Sequence, residues 1–328
     1  MSSRAARTIR WGIIGCGEVA EVKSGPGFQK AAHSTLVAVM RRDAARAEDF
    51  ARRHGVPRWH TDADAILEAS DIDAVYIATL PKTHHDYALR AAAAGKAVYV
   101  EKPMAMDAAE CDAMIAACAA AGVPLWVAYY RRALPRFLAV RDLLREGAIG
   151  EVREVVSMQI QRAPDPRAPG AWRLDTARAG GGPFFEGVVH TLDVLDFLFG
   201  PMEVVTSSAN ARGEDPRLED LVDARYRFAT GVTGQGHWDF AADAHREFNE
   251  VVGTHGRLRF STTRDVPIEC WRGDACQVIP ITDPVHVHQP LIQTIVDEQN
   301  GMGRCPSTGQ SAARTARVVD RMLAPLRR

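Results

Sequence analysis

An apolar run, residues 9–14, passes directly into Gly15-Cys16-Gly17-Glu18-Val19-Ala20, and this G-x-G-x-x-A element constrains the fold more tightly than any other feature of the chain. It calls for a tight turn from a strand into a helix. The first glycine permits the turn, the second lets the backbone approach a pyrophosphate, and the small third residue lets helix and strand pack closely. The helix N-terminus then turns unsatisfied N–H groups toward phosphate oxygens. Gly15, Gly17, Glu18, Val19 and Ala20 are therefore candidate dinucleotide contacts.

The surrounding rhythm supports that reading. Residues 9–14, 35–40, 74–78, 97–100 and 125–128 are short, apolar and bounded by breakers, as buried strands are. Between them, 43–54, 62–69, 83–94 and 107–121 have helical periodicity, with Asp43, Thr61, Thr83 and Asp107 as candidate N-caps. Strict alternation implies parallel pairing through right-handed crossovers, hence a doubly wound Rossmann sheet over residues 1–127. After a bridging helix at 133–146 the pattern changes. Eight strand-like segments between 150 and 279 follow one another with few helices, and helices at 287–300 and 309–323 close the chain. Residues 128–328 thus read as an α+β domain around a large, mostly antiparallel sheet, giving an α/β fold class overall. A helix at 186–199 interrupts the series, after a long loop at 162–182.

Length and charge narrow the function. A chain of 328 residues suits two domains. Its 40 basic and 41 acidic residues leave a net charge of -1, which argues against nucleic-acid or anionic-membrane partners. No window approaches the ~18 apolar residues of a membrane span. Residues 1–8 lack the apolar stretch of a secretory leader, and the six cysteines are scattered without a C-x-x-C pair. A cytoplasmic protein with reduced thiols is expected. His286-Val287-His288 has alternate spacing suggestive of a metal, but no third ligand stands nearby in sequence, so no metal is expected.

The segment after the second strand bears on the cofactor. NAD sites carry an acid there for the ribose hydroxyl, whereas this chain continues into Arg41-Arg42. A guanidinium forks onto a 2′-phosphate, so NADP(H) is favoured over NAD(H).

Two further segments carry chemistry. Glu101-Lys102-Pro103 follows the strand at 97–100, at the edge where ligands of open α/β sheets bind. Gly180-Gly181-Gly182-Pro183-Phe184-Phe185-Glu186 leads into His190, and the i, i+4 spacing of Glu186 and His190 puts both on one helix face. Together with Gly15-x-Gly17-x-x-Ala20, the Tyr129-Tyr130-Arg131-Arg132 stretch and Pro306-Ser307-Thr308-Gly309, these resemble, in order along the chain, the Gfo/Idh/MocA family of oxidoreductases.

The resemblance implies hydride transfer between a nicotinamide dinucleotide and a sugar, cyclitol or related polyol. Lys102 and His190 would flank the reacting carbon, with Lys102 polarising the oxygen and His190 moving the proton. Glu186 stands where many relatives have aspartate, which sets its carboxylate about one methylene, ~1.5 Å, further out. Thr79, Pro81, His84 and Glu101 would line the cofactor, and Tyr130, Arg131, Trp172 and Arg173 the substrate. The large sheet, which carries His237-Trp238, would pair chains into a homodimer or homotetramer, since a broad apolar face is rarely left open. Two other functions stay open: a nucleotide-retaining glycosidase using transient oxidation, and a silenced nucleotide-binding protein.

Overall fold

The computed structural model describes residues 6–326 except 169, 214, 216 and 217, so the start of the 1–8 segment lies outside the described residues. Contacts divide the chain into two units. The first comprises Met1–Ala105, Ala109–Leu134 and Pro284–Ala312, the second Met106–Ala108, Pro135–Asp283 and Ala313–Arg328. Sequence rhythm gives 284–312 to the second half. The structure gives it to the first for a packing reason: the helix Gln289–Gln299 buries Leu291, Ile292, Ile295 and Val296. A Cβ on Gly27 would stand 3.0 Å from Ile292, so this helix lies directly against the helix Gly25–Lys30. Ser307 also donates to the Val127 carbonyl at 2.7 Å.

In the first unit, β1 (Ile9–Ile14), β2 (Ser34–Met40), β3 (Arg58–His60), β4 (Ala74–Ile77), β5 (Ala97–Val100) and β6 (Leu125–Val127) form a sheet of order β3-β2-β1-β4-β5-β6. Every pair is parallel. β4 and β5 are buried at every position, as strands covered on both faces must be. One face carries an aromatic cluster in which Trp11 meets Phe28 at 4.8 Å and Tyr76 stacks on Tyr99 at 4.8 Å. Strand order reverses between β1 and β4, which opens a crevice at the carboxyl edge.

In the second unit, β7 (Val152–Ile160), β8 (Met202–Asn210), β9 (Leu221–Phe228), β10 (Thr233–Asp239), β11 (Arg246–Gly253), β12 (Arg257–Phe260), β13 (Ile268–Arg272) and β14 (Ala275–Ile279) form a sheet of order β14-β13-β12-β11-β7-β10-β9-β8. It is antiparallel except where β7 meets β10. Burial alternates along β9, so one face is closed and the other open. The open face is mixed rather than broadly apolar: half-exposed Val156 and Met158 sit among Asp223, Arg225 and His237.

The helix expected at 186–199 is split into Pro183–Gly187 and Val189–Phe199. Val188 between them keeps helical angles, φ -74 and ψ -19, so the twist continues through the break. The 162–182 loop holds two short helical turns, Ala171–Leu174 and Thr176–Ala179.

Candidate active site

The first unit brings the dinucleotide motif to its crevice. Gly15 has φ +95, and a Cβ there would stand 2.8 Å from both the Ala78 carbonyl and Thr79 Cγ2. Its N–H donates to Met40 O at 2.9 Å, fastening the turn to the end of β2. Gly17 differs. The atom nearest to a Cβ built there is Gly15 O, 4.0 Å away, and its φ is not positive. Neither packing nor backbone geometry within the protein requires a glycine there. The open space fits a phosphate laid against the backbone, so the residues present suit a dinucleotide. Ala20 is fully buried, as a small residue under a close helix should be.

Arg41 donates to the Cys16 carbonyl at 3.2 Å, which brings its guanidinium to the glycine turn. Arg42 is exposed. The acid in this stretch, Asp43, is engaged as the N-cap of Ala44–His54, accepting from Arg46 N. Beyond β4, the Thr83 hydroxyl donates to Leu80 O at 2.9 Å, and Pro81 is buried in the same turn.

Two expected cofactor contacts have buried, hydrogen-bonded side chains. His84 is completely buried, with Nδ1 2.9 Å from Pro103 O and Nε2 3.2 Å from Thr79 O. Burial lowers its pKa to about 4, so it is a neutral pin between two loops. Glu101 is 6% exposed; its carboxylate accepts from the Tyr76 hydroxyl and, at 3.1 Å, from Lys102 N–H. Burial raises the Glu101 pKa above the usual carboxylate range, against the lowering by Tyr76 and Lys102.

His288 Nε2 lies 3.8 Å from Glu101. This is no ion pair, because burial first, then the charges of Lys23, Arg131 and Lys102, lower the His288 pKa to about 3. The Tyr130 ring packs tilted against His288, with centroids 4.5 Å apart, and the Arg131 guanidinium lies 4.9 Å from the Tyr130 centroid. A continuous ladder thus runs from Lys102 through Glu101, His288 and Tyr130 to Arg131 at the carboxyl edge. The sequence shows His288 only as half of a metal-like pair; its place here depends on a contact far along the chain. Among the described residues, no group of three metal-ligating side chains comes together.

The second unit holds the other constellation. Glu186 is half-buried and His190 is 9% exposed on the helix Val189–Phe199, which is buried throughout Val189–Asp196. Arg173 Nε donates to Glu186 Oε1 at 3.3 Å, and its guanidinium lies 4.7 Å from the Trp172 centroid. The turn Ala171–Leu174 is thereby tied to the acid before the histidine. Glu219, a residue that short-range spacing does not single out, accepts from the backbone of Gly182 and Phe185.

The family model described as "Oxidoreductase family, NAD-binding Rossmann fold" matches residues 9–129, and that described as "GFO/IDH/MocA C-terminal domain" matches 137–259. The chain is 36% identical to Oxidoreductase P35 of Formosa agariphila over 95% of its length and 97% of the relative's. It is 30% identical to the 1,5-anhydro-D-fructose reductase of Ensifer adhaerens, covering 92% and 91%. Among solved structures it resembles the aldose-aldose oxidoreductase of Caulobacter crescentus, with a TM-score of 0.84 and 27% identity over 98% of each chain.

Proposed function

The chain belongs to the Gfo/Idh/MocA family of NAD(P)-dependent oxidoreductases, and on that premise we propose that it interconverts an alcohol and a carbonyl on a sugar, cyclitol or related polyol, using NADP(H). The observation that carries this reading is the open space over Gly17 beside a motif otherwise closed by packing. Gly15, Gly17, Glu18, Val19 and Ala20 hold the pyrophosphate. Arg41, already beside the Cys16 carbonyl, takes the 2′-phosphate, with Arg42 adjacent. Thr79 and Pro81 shape the crevice wall beyond β4. The bound nicotinamide supplies or accepts the hydride.

The chain's own residues handle the oxygen and the proton. Lys102 places an ammonium on the carbonyl or alkoxide oxygen, and a charge-assisted hydrogen bond there favours the charge that develops. His190 takes the hydroxyl proton in oxidation and returns it in reduction, since an ordinary imidazole, with a pKa near ~6.5, exchanges protons near neutrality. Glu186, held by Arg173, orients His190 or meets a substrate hydroxyl. Arg131 supplies a fork and Trp172 a ring face for a polyhydroxylated ligand, with Tyr130 packed against His288 and Arg131 to hold that fork. Support comes from residue type and position at the sheet's carboxyl edge in one unit and at a helix start in the other. The glycosidase and silenced-protein readings gain no observation from either cluster. We further propose cytoplasmic residence, in keeping with six free cysteines, and pairing of chains through the open face of the large sheet.

The test is a fluorescence titration with NADPH and with NADH, repeated on Arg41→Asp. NADPH should bind more tightly, and the variant should lose or invert that preference. Equal affinities in the wild type would overturn the NADP assignment. A screen of keto-sugars with NADPH follows, in which His190→Asn should lower kcat about 100-fold or more; unchanged turnover would remove His190 from the proton step.

A further inference from the structure

Three consecutive glycines precede the helix that carries Glu186 and leads to His190, and each has a local cause. Gly180 turns the chain at φ +95. A Cβ on Gly181 would stand 2.5 Å from Phe185 Cβ and 3.0 Å from Glu219 Oε1. A Cβ on Gly182 would stand 2.9 Å from both the backbone nitrogen and the carbonyl oxygen of Glu219. Gly182 is therefore glycine so that the chain around Glu219 can come close, while Gly181 chiefly makes room for Phe185.

Glu219 uses that approach. It is 1% exposed and lies just before β9. Its Oε1 accepts from Gly182 N–H at 2.7 Å and from Phe185 N–H at 2.8 Å. These are amides of a helix start, where no intrahelical acceptor exists, so each must find its acceptor elsewhere. Resting on the reading above, we infer that Glu219 is a positioning residue: by clamping Gly182 and Phe185 it fixes the rotation of the helix start that aims Glu186 and His190.

The transmission is rigid. Glu186 follows the clamped Phe185 directly. Val188 N–H donates to Phe184 O at 2.9 Å and Leu192 N–H to Val188 O at 3.0 Å, so the helical ladder spans the break. A small rotation at Phe185 is carried to His190, and misplacement of a reacting group by about 1 Å costs on the order of 100-fold in rate.

Reach, not charge, is what the clamp uses, because both amides converge on one oxygen. Glu219→Gln keeps an oxygen at that distance, whereas Glu219→Asp keeps the charge and withdraws it by one methylene. The readout is the ring NMR signals of histidine-labelled full-length protein, with His190 assigned by His190→Asn, recorded through a pH titration. This needs no turnover, so it stands apart from the test of the proposed reaction. Glu219→Gln should leave the His190 shifts and titration midpoint as in the wild type. Glu219→Asp should move the midpoint by about 0.3 pH units or more, while His237 on the open sheet face and the affinity for NADPH stay unchanged. His190 signals unmoved in Glu219→Asp, or moved as far in Glu219→Gln, would overturn the inference.

Discussion

Gly15 and Gly17 stand two positions apart and are glycine for different reasons. Gly15 is required by the protein itself, through φ +95 and the contact with Ala78. Gly17 is required by nothing in the protein. Gly15→Ala should therefore cost about 1–3 kcal/mol of stability, seen as a lower urea midpoint. Gly17→Ala should leave the midpoint alone and weaken NADPH binding about tenfold or more, because the new methyl occupies the phosphate's approach. Equal loss of stability in both would sink the distinction. The candidate residues that the sequence makes legible sit in short motifs: G-x-G-x-x-A, Glu-Lys-Pro, and an acid one helical turn before a histidine. Glu219 and His288 escape it because their partners lie far off in the chain. His84 and Glu101 are legible as positions but not as buried side chains, since burial has no local signature.

At the scale of elements, His84 ties the loop after β4 to the loop after β5, and this gives the first unit a pH dependence. An ordinary histidine titrates near ~6.5, and in the folded chain His84 titrates at about 4. Between those values the unfolded chain binds more protons, so the contribution is present above about pH 6.5 and is lost as pH falls toward 4; at full size it is of order 3 kcal/mol. Buried Glu101, raised in pKa, works with the opposite sign. The comparison with a variant isolates the histidine: the urea midpoint should fall from pH 7 to pH 5 more steeply in the wild type than in His84→Asn. Equal slopes would show that His84 is not the source. Most strands were plain in the sequence, because apolar runs between breakers have few alternatives. β3 was not, since Arg58, Trp59 and His60 at a sheet edge make no apolar run. The turn of π-helix at Ala20–Ser24 and the parallel β7–β10 pair were equally hidden, the first in helix geometry, the second in long-range pairing.

For the whole molecule, pairing through the large sheet predicts a solution mass at least twice the 35.8 kDa of the chain. Val156 and Met158 lie half-exposed on β7, near the middle of the open face. Val156→Asp should shift sedimentation toward the monomer without changing NADPH affinity; a monomeric wild type would refute the arrangement. The two-part architecture was evident from the change of rhythm near residue 127, but not that Pro284–Ala312 returns to the first unit, because its apolar helix face could have been buried against either. That return has a bearing on how the protein comes off the ribosome. A polypeptide made from its N-terminus usually folds its leading domain while the remainder is still being synthesised. Here the parallel sheet cannot complete its burial until Pro284–Ala312 has emerged, after the whole of Pro135–Asp283 has been made, and apolar surface around Gly27 and β6 stays uncovered in the meantime.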